Sequence, residues 1–376
     1  MVRQIVFHLG DCKTGTTSIQ TALAHGHFTL QGQTYLYPCR LNHIPLADTL
    51  RGKPDPALRQ QRWSRIARQI LESDKDTAII SAETFEFVRP ESLAEAISTH
   101  FAGFDGQIRF ISYIRPHAER FVSSFAEKSK QGRFNGNLDD GFKDFLSRRR
   151  ITYMPRLTAW RRVFGDAYEV HPMIRDRLAE GDVVADFLRR AFRTDAVTVR
   201  ATGALNEALT VEGLIAARRL HERLRESGLC TDEISRAVGW NFAALLSTLP
   251  KSPDAEKPRI DKALARQLRE DCMEDAVALD RTFFRDAPVM VDALSRAVER
   301  APDSVQSMAP ADHFTAEQLR IIDGFGLLLR RVMEADPAHF RSAVRPEELR
   351  TRSIGKEVSG KVNGWLGRLR ARWPWQ

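Results

Sequence analysis

Cysteine is scarce in this chain of 376 residues, which contains only four. They lie far apart, at positions 12, 39, 230 and 272, and form no C-x-x-C pair, which argues against a disulfide scaffold and a zinc site. No apolar run is long enough to span a bilayer. The N-terminus enters a predicted strand directly and leaves no room for a cleavable signal peptide. We therefore expect a cytoplasmic protein.

A basic stripe interleaved with aromatic residues is also missing, although the chain is basic overall. The net charge is +8 and the isoelectric point is about 9.5, which suits anionic ligands, nucleic acid or a membrane surface. The arginines are scattered along predicted helices, so we expect no nucleic-acid partner. The apolar and charged fractions, 43% and 28%, are those of a globular protein.

The most informative stretch begins after the apolar run at residues 5–7 and reads HLGDCKTGTTS over residues 8–18. It predicts a short buried strand, a loop framed by Gly10 and Gly15, and a helix entered through hydroxyl residues. Such a loop directs backbone N–H groups and the positive end of a helix dipole at one point. The stretch therefore predicts a phosphate-binding site, the alternative being an ordinary turn between strand and helix.

The loop departs from the Walker A pattern of nucleotide hydrolases. Gly10 and Gly15 have the Walker spacing and Thr17 stands at the hydroxyl position, but Thr16 replaces the lysine. The lysine lies within the loop instead, as Lys13. No apolar strand ending in a metal-binding aspartate stands out, so metal-dependent hydrolysis of a nucleoside triphosphate is disfavoured and no metal is expected.

The loop resembles the 5′-phosphosulfate-binding loop of sulfotransferases that use 3′-phosphoadenosine 5′-phosphosulfate (PAPS), especially bacterial ones with the pattern H-x-G-x-x-K-T-G-T-[ST]. The residues that carry the resemblance are His8, Gly10, Lys13, Thr14, Gly15, Thr16 and Thr17. The resemblance implies that the 5′-phosphosulfate binds to residues 10–18, Ser18 included. It also implies that Lys13 stabilises the bridging oxygen as the sulfuryl group leaves.

A second motif supports the first. A predicted strand over residues 108–114 runs into Arg115 and Pro116, and Ser123 follows eight residues after Arg115. In the sulfotransferases that the chain resembles, an arginine and a serine at this spacing bind the 3′-phosphate of the donor. Arginine suits that role because its planar fork gives two charge-assisted hydrogen bonds to one phosphate.

Two residues are candidates for the base that deprotonates the acceptor. In the sulfotransferases that the chain resembles, the base often lies in the segment after the first helix, where His43 is placed, and an imidazole of ordinary pKa would serve near neutral pH. The resemblance also implies a polar S-x-E motif after the predicted buried strand at residues 77–80, where Glu83 lies, at the strand end that faces the ligand in open α/β sheets. Glu83 is thus the rival base, or a residue that orients the base or the acceptor. Each has a structural alternative, a packed histidine for one and a solvated glutamate beside a helix cap for the other.

The expected protein is therefore an α/β enzyme that transfers a sulfuryl group from PAPS to an acceptor and releases PAP, the desulfated nucleotide. A hydroxyl of a saccharide or glycolipid fits the basic surface as acceptor, and a small alcohol or amine is an alternative. Two other classes stay open. One is a P-loop kinase or NTPase, and the other is an anion-binding scaffold without catalysis.

Three regions are expected along the chain. Residues 1–210 form the α/β core, with a P-loop NTPase-like parallel sheet flanked by helices. Residues 211–350 show helical periodicity and are expected to cover the core and shape the acceptor site. Residues 351–376 are basic and amphipathic with tryptophans, which fits either peripheral contact with the inner face of a membrane through residues 352–376 or a terminal segment packed on the body. No feature indicates an oligomeric state.

Overall fold

The computed structural model describes residues 1–53, 55–147, 151–200, 208–250 and 252–344. It has an α/β fold built on a five-stranded parallel sheet of order β3-β4-β1-β5-β6, beside a separate pair of short antiparallel strands, β2 and β7. The strands are β1 (Gln4–His8), β2 (Phe28–Leu30), β3 (Tyr35–Leu36), β4 (Thr77–Ser81), β5 (Gln107–Ile114), β6 (Tyr168–Pro172) and β7 (Val197–Val199). The predicted α/β class is confirmed.

The apolar runs of the sequence form the middle of the sheet. β1 pairs in parallel with β4 on one side and with β5 on the other. Successive residues of a strand point to opposite faces. Val6 thus packs on one face with residues of α1 (Thr16–His25) and α8 (Val183–Phe192). Phe7 stacks on Phe110 on the other face, with ring centroids 5.3 Å apart. Both faces are covered, which explains why these strands read as continuous apolar runs.

The carboxyl ends of the three central strands meet at one edge of the sheet. His8 lies opposite Ser81 in the register of β1 and β4, and β5 runs on to Ile114. The segments that leave these strand ends carry the loop motif at residues 8–18, Glu83, and the Arg115 and Ser123 motif. This is the edge at which open parallel sheets bind ligands.

The other helices are α2 (Ile44–Ala47), α3 (Pro56–Leu71), α4 (Pro90–His100), α5 (His117–Lys130), α6 (Leu138–Ser147), α7 (Met154–Phe164), α9 (Val211–Arg225), α10 (Asp232–Ser247), α11 (Lys262–Phe283), α12 (Val289–Arg300), α13 (Ala316–Ala335) and α14 (Pro337–Ala343). From residue 208 on, the described residues form helices and no strand. No helix in the described ranges is both long and apolar enough to span a membrane.

The chain divides into two compact units, and the first contains the sheet. Its described residues fall within Met1–Phe125, Asn137–Leu205 and Arg259–Gln306. α11 and α12 thus belong with the sheet, whereas the sequence placed everything after residue 210 in a helical region. One contact within this unit is made by Asp275 of α11, whose carboxylate accepts hydrogen bonds from the backbone N–H groups of Tyr153 and Met154, each over 2.9 Å. The spacing of apolar residues carries no signal of such a contact.

The second unit is helical, and its described residues fall within Ala126–Gly136, Asn206–Pro258 and Ser307–Gln376. α13 packs along α9, and Arg219 forms a bidentate ion pair with Asp323 across that contact. A cavity of about 600 Å³ opens between the start of α9, the end of α10 and the segment around Phe314. The predicted tail at residues 351–376 lies outside the described residues.

Candidate functional site

The loop after β1 requires its two glycines. Gly10 and Gly15 have φ angles of +95° and +79°, in the region where side chains other than glycine are strained. A Cβ on Gly15 would lie 2.5 Å from Cγ1 of Val183, and one on Gly10 would lie 3.0 Å from Cα of Glu83. The glycines thus let the loop bend and approach both α8 and the segment after β4.

Two threonines of the loop hold its shape from the inside. The hydroxyls of Thr14 and Thr16 donate hydrogen bonds to the carbonyl of Asp11, over 2.6 Å and 3.1 Å, and both side chains are buried. Thr16 is among the residues expected to bind the 5′-phosphosulfate, and this stays a prediction. Because its hydroxyl donates within the loop, its backbone N–H is the group left for that role. Thr17 is exposed and Ser18 is half-buried.

The first turn of α1 is open to an anion. Gly15 is the residue that precedes the helix, no side chain of the described residues caps it, and the first turn contains no acidic residue. The first N–H groups of a helix have no partner within the helix, and here they carry the positive end of its dipole. The backbone at residues 15–18 is therefore suited to bind phosphate or sulfate.

The two predicted anion motifs lie in direct contact. The guanidinium of Arg115 donates a hydrogen bond from Nε to the carbonyl of Lys13. This follows from the sheet, because β1 and β5 are neighbours and their pairing continues into the loop, where Asp11 and Tyr113 are joined by a 2.9 Å hydrogen bond. Lys13 is exposed with a φ of +68°, and Arg115 is half-buried. The Arg115 guanidinium thus contacts the backbone of the loop that leads into α1, 102 residues away in sequence.

Arg115 is held at the entrance to α5. Its carbonyl accepts a 2.7 Å hydrogen bond from the hydroxyl of Tyr153. Burial lowers the pKa of Arg115, while the neighbouring Glu119 counteracts this effect, and a guanidinium remains a cation at neutral pH. Ser123 is half-buried on the same helix. Both predicted residues for the 3′-phosphate are therefore borne by the β5–α5 segment.

A cluster of four charged side chains underlies the loop, and the sequence did not reveal it. Arg156 pairs with Asp11 at 2.5 Å, and Arg120 pairs with Glu86 at 2.8 Å. Glu86 also accepts a 3.0 Å hydrogen bond from the backbone N–H of Cys12. The partners come from positions up to 145 residues apart, so no local pattern indicates the pairing. The cluster fixes residues 11 and 12 of the loop, and its charges sum to zero.

The carboxylates of this cluster respond differently to their surroundings. Burial raises the pKa of Asp11 to about 6 against the opposing effect of Arg156. Burial also acts to raise the pKa of Glu86, but Arg156, Arg120 and the N–H of Cys12 outweigh it and hold that pKa below its usual range. Both groups are therefore ionised at neutral pH. The ionisation of buried Asp11 lowers the stability of the folded state.

Replacing Arg156 by methionine is expected to lower the free energy of unfolding by about 3 kcal/mol, near the lower end of the range for breaking a buried ion pair. The side chain of Arg156 is 23% exposed, whereas that of Asp11 is only 3% exposed. The folded pKa of Asp11 lies above its unfolded value, so its ionisation costs stability as pH rises from about 4 through 6. Without Arg156 the cost is greater, and urea unfolding should show a larger loss at pH 8 than at pH 5.

The control for this prediction is the double variant Asp11→Asn with Arg156→Met, which removes both charges. It should recover much of the lost stability at pH 8, because no unpaired carboxylate remains buried. Equal losses at pH 5 and pH 8 in the single variant would show that the ion pair does not account for the effect.

His43 does not have the environment predicted for a base. It immediately precedes α2, it is only 2% exposed, and burial lowers its pKa to about 3. Its Nδ1 accepts a 3.1 Å hydrogen bond from the backbone N–H of Ser81, and its own backbone N–H donates to the carbonyl of Ser81 over 2.8 Å. The prediction of an ordinary pKa is wrong, because a short sequence segment does not reveal burial. His43 is neutral, and because Nδ1 accepts a hydrogen bond, its ring proton is on Nε2. Its two hydrogen bonds with Ser81 connect α2 to the end of β4.

Glu83 is in a different position. It begins the 3₁₀ helix Glu83–Phe87, directly after β4, and is half-buried. Gln20 of α1 donates a hydrogen bond from Nε2 to Oε2 of Glu83 over 3.1 Å. Of the two predicted bases, His43 is buried, whereas Glu83 is partly exposed and can receive a proton on its carboxylate. Glu83 lies just after the end of β4, next to the loop.

The site contains no activated thiol, and no metal site is found in the described ranges. Burial, together with Glu86, Glu83 and Asp11, raises the pKa of the Cys12 thiol well above its usual value, which leaves it protonated and a poor nucleophile. No group of three histidine, cysteine or acidic side chains among the described residues is arranged to hold a metal ion.

Comparison with known proteins adds no relative. No family model matches the chain, and neither the curated proteins nor the solved structures include a match. The function must therefore be argued from the residues at this edge of the sheet.

Proposed function

We propose that this protein is a PAPS-dependent sulfotransferase with a P-loop-like core. The observation that carries the proposal is the contact between the two motifs, with the Arg115 guanidinium on the carbonyl of Lys13 beside an uncapped helix N-terminus. A donor with a phosphosulfate at one end and a 3′-phosphate at the other needs two neighbouring anion sites. The resemblance of the loop supplies the identity of the donor.

The donor is bound by groups of three kinds. The N–H groups at residues 15–18 and the hydroxyl of Thr17 bind the 5′-phosphosulfate. Arg115 and Ser123 bind the 3′-phosphate. The glycines allow the backbone to approach the anion closely, and Thr14 and Thr16 support the loop from behind.

Transfer proceeds by in-line attack of the acceptor oxygen on sulfur. As the new oxygen–sulfur bond forms, the bond between sulfur and the bridging oxygen breaks, and its electron pair stays on the 5′-phosphate of the departing PAP. Lys13 stabilises the negative charge that grows on that oxygen. Glu83 accepts the proton of the acceptor hydroxyl or amine. No metal takes part in this scheme.

The alternative, a kinase or NTPase that binds a metal–nucleotide complex, finds less support at this site. Asp11 lies in the loop and the carboxylate of Glu86 accepts a hydrogen bond from the loop backbone at Cys12, and both are engaged by arginines. A scaffold that binds an anion without catalysis would share the loop but would not need Glu83. The acceptor remains a saccharide or glycolipid hydroxyl in this proposal, the location cytoplasmic, and residues 352–376 the segment for any membrane contact.

Calorimetric titration with PAP tests the donor assignment. PAP should bind to the wild type without metal, and Arg115→Ala should weaken this binding by roughly 10–100-fold, because charge-assisted hydrogen bonds contribute about 1.5–3 kcal/mol. A matched control is Arg3→Ala, which removes an exposed arginine before β1, at the opposite end of that strand, and should leave the affinity unchanged.

Two outcomes would contradict the donor assignment. One is stronger binding of ATP with Mg²⁺ than of PAP, which would favour the kinase or NTPase alternative. The other is equal PAP affinity of wild type and Arg115→Ala, which would place the 3′-phosphate elsewhere.

A further inference from the structure

The amide of Gln20 joins the helix of the anion-binding loop to the predicted base. Gln20 lies one turn after Thr16 on α1 and is 2% exposed. Its Nε2 donates to Oγ of Ser81 over 3.2 Å and to Oε2 of Glu83 over 3.1 Å. One side-chain amide group thus contacts the last residue of β4 and the carboxylate just beyond it.

The Ser81 hydroxyl that accepts from Gln20 is itself fixed by a second contact. Oγ of Ser81 lies 2.8 Å from Nδ1 of His8 at the end of β1. His8 is fully buried, and burial lowers its pKa to about 3, so the ring is neutral. Because the serine is held between a buried ring and the amide, Gln20 has one orientation in which both of its amide hydrogens have acceptors.

We propose that Gln20 is a positioning residue that orients the Glu83 carboxylate for proton transfer. This inference rests on the proposed function, since it assumes that Glu83 accepts the acceptor's proton. With Oε2 held by Gln20, Oε1 is the oxygen left to receive the proton. Because Gln20 belongs to α1, the base is fixed relative to the N–H groups that bind the donor.

The test is single-turnover release of PAP from PAPS by the full-length protein, with calorimetry of PAP on the same samples. In Gln20→Met, the rate should fall by about tenfold, the equivalent of one hydrogen bond, because the carboxylate is no longer held in one orientation. PAP affinity should stay within about twofold of wild type. In the Glu83→Gln background, Gln20→Met should cause no further loss of rate, because no carboxylate remains to be oriented.

Matched variants separate positioning from a general loss of structure. Gln33→Met removes a half-buried side-chain amide of the same unit, with its 3.2 Å hydrogen bond to the carbonyl of Phe192, and should leave the rate unchanged. Should Gln20→Met fail to fold, Gln20→Asn keeps the amide on a shorter side chain that no longer reaches Oε2 of Glu83, and the same loss of rate is expected.

The possible results bear on two separate claims. An unchanged rate in a folded Gln20 variant overturns the positioning role while PAP binding and the sulfotransferase proposal stand. An equal loss of rate in the Glu83→Gln background also overturns the positioning role, because Gln20 would then not act through Glu83. Failure of PAP to bind the wild type overturns the sulfotransferase proposal itself, and with it the role that rests on it.

Discussion

Replacing Glu83 by glutamine is expected to slow PAP release from PAPS by about 10²–10⁴-fold, the usual contribution of a general base. Glutamine keeps the size of the side chain and can still contact Gln20, but it cannot accept the acceptor's proton. Single-turnover release of PAP, with water as a common probe acceptor, measures the effect without requiring the natural acceptor. PAP affinity should change little, because Glu83 is not among the groups that bind the nucleotide.

The matched control is Glu95→Gln, which removes an exposed carboxylate from α4 and should not alter the rate. His43→Gln provides the contrast between the two candidate bases. It should lower stability, because the hydrogen bond from Ser81 is lost inside the protein, while folded molecules keep most of their activity. A full rate in Glu83→Gln, or a rate loss confined to folded His43→Gln, would reverse our choice of base.

Replacing Lys13 by methionine is expected to lower the rate of PAP release by about 10²–10³-fold, as is typical when one group that stabilises transition-state charge is removed. The charge on the bridging oxygen is greatest as the bond to sulfur breaks, so the effect should fall on the rate rather than on PAP affinity. Stopped-flow single-turnover kinetics and calorimetry on the same sample measure the two quantities. Lys75→Met, at an exposed site of the same unit, serves as the control.

A parallel loss of rate and PAP affinity in Lys13→Met would show that the lysine only binds the donor in its ground state. Unchanged kinetics would show that Lys13 has no part in the mechanism. The donor assignment would then lose support, because the resemblance of the loop implies that role for Lys13. The two results are distinguishable because affinity and rate are measured separately.

Much of the fold could be predicted because the determining signals are local. The runs at residues 5–7 and 78–80 are apolar on both faces, and such runs are typical of central parallel strands. The loop glycines and the helix after them follow from short-range turn and helix chemistry. Adjacent central strands then bring Lys13 and Arg115 together, since the pairing of β1 with β5 places their loops side by side.

Burial and long-range pairing could not be predicted in the same way. His43 has an ordinary sequence context, and only its packing against the end of β4 lowers its pKa. The sequence around Asp11 suggests a solvated loop residue, whereas in the fold Asp11 is buried and paired with Arg156 of α7. Gln20 gave no signal, because its partners lie 61 and 63 residues away. These positions depend on the assembled fold rather than on any local pattern.

The hydroxyls of Thr14 and Thr16, both directed at the carbonyl of Asp11, have a consequence for the thermodynamics of ligand capture. They close the loop by contacts within the protein, so its conformational entropy is lost when the chain folds and not when the anion arrives. For the proposed anion ligand, the cost of ordering the loop is therefore a smaller deduction from the binding free energy. The two hydrogen bonds transfer part of that cost to folding.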